Sequence, residues 1–387
     1  MMKTNSGFDN LDKSYLFAKI RKEKEKYAGE RLFDMSVGDV CLPLSKSVIN
    51  AIQSAALEMG SPDSFKGYPP PFGYDFLRKA IAEKYRALGI SIKPDEIYVS
   101  DGAKSDVANI ADIFEPQSVI IPSPAYPVYA DSNIIKKNKI TYLSAGEENG
   151  FVSLPAENLP RESLIYLCSP NNPAGVAYPR DALEKWVDFA LDSGSVIIYD
   201  SSYEAYVRSG APRSIYGING AERCAVEISS LSKSAGFTGL RCSWTVIPKA
   251  LEATKNEVFT LWERRQSTFF NGVSYVIQRA AEAALCDYSD IRAKTDYYLE
   301  NARLIRERFD DTKIRYFGGV DSPYIWIKCP AGTDSETMFS TLISEYGTVL
   351  TPGAGFGNGG YMRVSTLTKR ETAKGGVERI CKYYGRI

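Results

Sequence analysis

Six short apolar runs punctuate the middle of this chain, and each gives way to a polar turn: EIYVS (96–100), SVIIP (118–122), SLIYLCSP (163–170), SVIIYD (195–200), CAVEISS (224–230) and SWTVIP (243–248). Continuous runs rich in Val, Ile and Tyr predict strands buried on both faces. Helical patterns lie between them, as in SDVANIADIF (105–114) and DALEKWVDFALDSG (181–194). In the second, Leu183, Trp186, Val187 and Ala190 share one helical face, and Gly194 follows as a stop. Strand–helix alternation predicts an α/β domain with a mostly parallel sheet, placed here over residues 38–280. The remaining sequence changes character. Residues 285–310 predict one long polar helix, followed by short strands (322–328 and 361–366) around a helix (335–347). This predicts a smaller α+β unit over 281–387. Residues 1–37 are too few to form a core alone and are assigned to the same unit.

A length of 387 residues suggests about two to three domains. Lys+Arg and Asp+Glu both number 47, and there is no histidine. The balanced charge offers no field for a phosphate backbone or an anionic membrane, so neither nucleic acid nor membrane is expected as a partner. The absence of histidine excludes Ser-His-Asp, Cys-His and His-ligated metal chemistry. A general base must then be Lys, Asp, Glu, Tyr, Cys or a cofactor, and no metal is expected. The seven cysteines include no CxxC and read as reduced core thiols. The first thirty residues lack the apolar core of a secretory signal, and no run approaches the ~18 apolar residues of a membrane span. A cytoplasmic protein is expected.

Ligands of open parallel sheets bind beyond the carboxyl ends of the strands, so the residues after each run carry the chemistry. They are Asp101-Gly102-Ala103-Lys104, Ser123-Pro124-Ala125-Tyr126, Ser169-Pro170-Asn171-Asn172, Asp200 with Tyr203, and Ser230-Leu231-Ser232-Lys233 with Arg241. A small-residue turn at Gly102-Ala103 can offer backbone N–H groups to a phosphate. Ser230, Ser232 and Arg241 can complete that anion site. A lysine at a strand end among apolar neighbours can have a lowered pKa and form a Schiff base. Asp200 can hold a ring nitrogen protonated, and Tyr126 offers a flat face. Together these describe pyridoxal phosphate. Taken singly, Lys233 also reads as a solvated cation, Asp200 as a helix cap, Tyr126 as core packing, Arg241 as a surface ion pair and Arg363 as an exposed strand residue. The glycines at 355, 357, 359 and 360 read as a turn rather than a phosphate loop, since no GK[ST] follows.

The stretches SYLFAKI (14–20), KGYPPPFGYDFLR (66–78), VSDGAKSD (99–106), CSPNNPAG (168–175), EISSLSKSAGFTGLRCSWTVIP (227–248), TFFNGVS (268–274) and TPGAGFGNGGYMRVS (351–365) resemble the fold-type I pyridoxal-phosphate aminotransferases, and among them most resemble the LL-diaminopimelate aminotransferases. The resemblance implies a seven-stranded, mostly parallel sheet with a smaller α+β domain, and a homodimer with shared active sites. It implies that Lys233 holds the cofactor as an imine, Asp200 pairs with its ring nitrogen, Tyr203 and Asn172 contact its ring oxygen, and Tyr126 stacks on it. Ala103, Lys104, Ser230, Ser232 and Arg241 would bind the phosphate. Arg363 would take the substrate α-carboxylate with Asn172 and the Gly38 backbone. Tyr15, Tyr68, Lys104 and Asn271 would line the rest of the pocket, with Tyr68 and Asn271 reaching across the dimer. The implied reaction exchanges an amino group between glutamate or 2-oxoglutarate and LL-diaminopimelate or tetrahydrodipicolinate, in lysine biosynthesis.

One departure bears on substrate. The family's glycine–tyrosine loop usually has an acidic residue soon after the tyrosine, suited to a distal ammonium. Here it reads Gly67-Tyr68-Pro69-Pro70-Pro71-Phe72-Gly73 and carries no carboxylate. Losing a hydrogen bond to a charged group costs about 1.5–3 kcal/mol, enough to alter preference. The alternative expectation is an aminotransferase for another basic or aromatic amino acid in secondary metabolism.

Overall fold

A computed structural model describes residues 2–12, 14–251 and 257–386. The apolar runs become six strands of a seven-stranded sheet. Its order is Ile97–Ser100, Ser243–Val246, Ala225–Ser230, Val196–Asp200, Leu164–Cys168, Val119–Ser123 and Ile140–Ser144. Only Ser243–Val246 runs antiparallel to its neighbours; every other pairing is parallel. Most of the strands are buried on both faces, which is why they read as unbroken apolar runs. The seventh strand, Ile140–Ser144, is absent from the predicted runs. It lies at the sheet edge and is half-exposed, and Thr141 and Ser144 break up its apolar run.

Helices pack on both faces. Arg180–Ser193 buries Leu183, Trp186, Val187 and Ala190, and ends at Gly194 in the left-handed region (φ 65°), as predicted. Two helical expectations need correction. Segment 105–114 starts earlier and divides into an α-helix, Ala103–Asn109, and a 3-10 turn, Ile110–Ile113. The long helix expected over 285–310 is present but begins later, as Tyr288–Asp311, because Leu285 and Cys286 end the preceding helix Tyr275–Cys286. The Asp287 carboxylate accepts the Asp290 N–H and caps the second helix.

The C-terminal residues build an antiparallel sheet ordered Thr351–Pro352, Tyr361–Ser365, Tyr324–Lys328 and Tyr316–Gly318. Its core gathers Ile305, Phe309, Ile325, Ile327, Leu342 and Val364, together with Ile20 and Met35 from the N-terminal segment. That segment is anchored by a short parallel pairing of Phe33–Asp34 with Thr348–Val349. The basic run at 19–26 lies mostly in the helix Leu16–Glu25, which buries Ile20. All seven cysteines are unpaired; five are buried, while Cys286 is exposed. Among the described residues no helix is long and apolar enough to cross a membrane, and no cluster of His, Cys, Asp and Glu could hold a metal ion.

Candidate active site

The lone antiparallel strand sets up the site. Ala225–Ser230 and Ser243–Val246 pair with Ser230 opposite Ser243, so the intervening loop leaves and re-enters the sheet at one edge. Ser230, Ser232, Lys233 and Arg241 therefore belong to a single loop above that edge. The next strand, Ile97–Ser100, places Ser100 opposite Ser243, which brings Gly102 beside Arg241. The Gly102 N–H donates to Ser243 Oγ at 2.9 Å. Gly102 has φ +141°, and a Cβ there would collide with the Arg241 guanidinium, so only glycine serves. The Ser232 N–H donates to Ser230 Oγ (3.0 Å), and Arg241 Nη1 reaches Ser232 Oγ at 3.4 Å. Ala103 and Lys104 open the adjoining helix, which has no side-chain cap. The result is a cradle of hydroxyls, a guanidinium and helix-opening amides suited to an anion.

This cradle forms one end of a cavity of about 250 Å³, whose lining includes Lys233, Asp200, Tyr126, Tyr203, Asn172, Gly38 and Arg363. Lys233 Nζ donates to the Gly38 carbonyl. Burial pushes its ammonium down to about 8; Asp39 opposes this, while Arg363 and Arg241 reinforce it. Asp200 ends its strand buried. Its Oδ2 accepts the Tyr129 hydroxyl at 2.7 Å, and its Oδ1 accepts the Ser202 N–H at 3.0 Å. Asn172 Oδ1 accepts Arg363 Nη1 at 2.8 Å, while Arg363 Nη2 donates to the Ser36 carbonyl (2.7 Å). Arg363 is only 1% exposed, which removes the reading as a surface strand residue. Its Nε is buried with no hydrogen-bond partner. A buried N–H left free beside a cavity is suited to an acidic ligand.

Sequence similarity now bears on this geometry. The family described as aminotransferase class I and II matches residues 30–380. LL-diaminopimelate aminotransferases from Methanosphaera stadtmanae and Bacteroides fragilis are each 41% identical, over 98% of this chain and 99% of theirs. The structure of L,L-diaminopimelate aminotransferase from Chlamydomonas reinhardtii superposes with a TM-score of 0.92 at 33% identity, covering 99% of both chains. The chain belongs to the class I and II aminotransferases. Aspartate aminotransferase of Thermus thermophilus shares the fold, with a TM-score of 0.87 at 23% identity over 99% of this chain.

In this aminotransferase most residues expected from sequence gather around the one cavity, but three do not line it. Tyr15 stands behind the lining, with Lys104 Nζ 4.3 Å from its ring centroid. Tyr68 and Asn271 are exposed on the surface. Their loops adjoin, since a Cβ at Gly272 would come within 2.8 Å of the Pro70 carbonyl. Sequence reasoning also missed lining residues: Phe17, Val37, Tyr129 and Tyr324. Tyr126 caps the helix Pro127–Ile135, and Tyr129, in its first turn, brings its ring to 5.8 Å from that of Tyr126.

Proposed function

We propose that this aminotransferase holds pyridoxal 5′-phosphate on Lys233 and exchanges an amino group between glutamate or 2-oxoglutarate and LL-diaminopimelate or tetrahydrodipicolinate, in lysine biosynthesis. The observation that carries the cofactor reading is the shared cavity. A lysine with a lowered pKa, a buried carboxylate and an anion cradle face the same 250 Å³ space. The 41% identity to LL-diaminopimelate aminotransferases over nearly the whole chain supports the substrate.

The groups present fit the cofactor. Ser230, Ser232, Arg241 and the amides of Ala103 and Lys104 would hold its phosphate. Asp200, fixed by Tyr129 and Ser202, would hold the ring nitrogen protonated. Tyr203 and Asn172 would meet the ring oxygen, and Tyr126 the ring face. When bound, the cofactor supplies an electron sink for the pair left as the substrate Cα–H bond breaks. Lys233 Nζ takes that Cα proton as general base; an amine titrating at about 8 is roughly a tenth neutral at pH 7, whereas an ordinary lysine is neutral to well under 0.1%. Arg363, held by Asn172 and the Ser36 carbonyl, orients the α-carboxylate. Lys104 lines the pocket, and Tyr15 stands behind it. The chain needs no histidine because its base is the cofactor-binding lysine.

Tyr68 and Asn271 would complete the site of a partner in a homodimer. The exposed apolar residues Leu57, Phe65, Tyr68 and Phe269 favour that association. A cytoplasmic setting accords with seven unpaired cysteines. One observation keeps the alternative substrate class in view: the exposed 66–73 loop bears no carboxylate for a distal ammonium. Purified protein should absorb in the near-visible, and Lys233→Ala should remove the imine part of that band, leaving at most the absorbance of the free aldehyde. A single-turnover panel of amino acids then decides the substrate. Rapid reaction with glutamate and LL-diaminopimelate is expected; failure of the latter, with turnover of an aromatic or another basic amino acid, would select the alternative.

A further inference from the structure

We infer that Tyr324 is a positioning residue: its hydroxyl donates to the Tyr203 oxygen, and so aims and polarises the Tyr203 hydroxyl toward the ring oxygen of the cofactor, an inference that rests on the pyridoxal-phosphate reading above. Tyr324 opens the strand Tyr324–Lys328 of the C-terminal sheet, yet its side chain reaches the carboxyl edge of the large sheet. The two hydroxyls lie 3.1 Å apart, and the rings meet edge to face at 5.2 Å. Both residues are buried. The Arg363 guanidinium sits 4.4 Å from the Tyr324 ring centroid. Gly38, whose carbonyl accepts Lys233, could carry no side chain, because a Cβ there would collide with Tyr324 Oη. Tyr324 thus touches the ring-oxygen partner, the carboxylate-binding arginine and the backbone that holds the lysine.

A phenylalanine would satisfy the edge-to-face packing and the contact with Arg363. The hydroxyl alone demands tyrosine, and its hydrogen-bond partner is Tyr203. The direction of that bond follows from what each phenol faces. Tyr203 borders the place where the cofactor's ring oxygen would lie, so its own proton is needed there. It then accepts from Tyr324. A hydroxyl that accepts one hydrogen bond donates the next more strongly. The charged and titratable groups facing the pair include Arg363, Asp200, Cys168, Tyr126 and Tyr206, with Lys233 Nζ beside Gly38. Asp39, Arg363 and Arg241 act on the lysine. Tyr324→Phe leaves all of these in place.

The experiment titrates the near-visible band of the holoenzyme against pH for the wild type, Tyr324→Phe, Tyr203→Phe and the double variant. Thermal melting confirms that each is folded. A weaker hydrogen bond to the ring oxygen leaves its negative charge less stabilised, so the band's proton is held more tightly. Tyr203→Phe should raise the midpoint by about one to two units. Tyr324→Phe should raise it by roughly 0.2–0.6 unit. The double variant should match Tyr203→Phe alone, because Tyr324 acts through Tyr203. An unchanged midpoint in Tyr324→Phe would overturn the inference, as would independent effects in the double variant. A lowered midpoint would reverse the bond's direction and overturn it too. These failures are distinct from failure of the cofactor reading, in which the wild type would show no Lys233-dependent band at all.

Discussion

Asp200 on the cavity floor is 6% exposed and accepts hydrogen bonds from Tyr129 and Ser202, whereas Tyr68 is 88% exposed and lies outside the cavity lining. The floor is assembled within one chain. Apart from Arg363 Nε, its buried polar groups are largely partnered, and its backbone comes mostly from strand ends that cannot shift without disturbing the sheet. The rim is a pair of loops, 66–73 and 269–272, that touch each other but not the cavity. Preorganised groups suit chemistry, since they need no rearrangement when charge develops. Rim groups suit recognition, and in the proposed dimer they would meet a second surface. Floor substitutions should therefore act within a protomer and act strongly, while rim substitutions should act weakly and through a partner.

The largest effect should concern Lys233 itself. An ordinary lysine is about 0.1% neutral near pH 7.5, but one titrating at about 8 is roughly a quarter neutral, some two hundredfold more. The sign follows from burial, which disfavours the charged form and lowers the pKa. Uptake of pyridoxal phosphate by the cofactor-free protein, followed by near-visible absorbance, should accelerate with pH and level off above about pH 8. A rate still climbing at pH 10 would mean that the floor does not tune this amine.

Next comes Arg363→Gln, which shortens the charged reach and leaves the cofactor cradle intact. Loss of a charge-assisted pair costs about 1.5–3 kcal/mol, or roughly 10–150-fold. That loss should appear in kcat/KM for every amino donor, with the absorbance band retained. An unaffected kcat/KM would move carboxylate recognition away from the floor.

The same contrast explains what could be read from sequence. Lys233, Asp200 and Asn172 follow buried strands, and a buried strand announces itself by an unbroken apolar run. The edge strand Ile140–Ser144 did not, because one side of it meets solvent at Tyr142 and Ser144 and Thr141 and Ser144 interrupt its apolar run. In the sequence Tyr324 appears only within the predicted strand 322–328, and Phe17 only within SYLFAKI. Their place at the cavity depends on how the C-terminal sheet and the N-terminal segment sit on the large sheet, a long-range contact that no local pattern encodes. The boundary at Asp287 was legible in principle, since an aspartate three residues before Asp290 is a capping signal, but a continuous polar helix pattern masked it. Arg363 showed its residue type and strand, not its burial.

The smallest effect belongs to Tyr68. Losing one neutral hydrogen bond costs about 0.5–1.5 kcal/mol, so Tyr68→Phe should lower kcat/KM roughly 2–12-fold. A change that small is uninformative alone, but complementation sharpens it. In a mixed dimer of one Lys233→Ala protomer and one Tyr68→Phe protomer, action across the interface puts both defects in one site. The other site then combines an intact Lys233 with an intact Tyr68, and should turn over with wild-type kcat/KM. Action within a protomer would instead put the Tyr68→Phe change in the only site that retains its lysine, and the mixed dimer would keep the full defect of that variant. The readout is kcat/KM per active site, which separates the two cases however modest the defect.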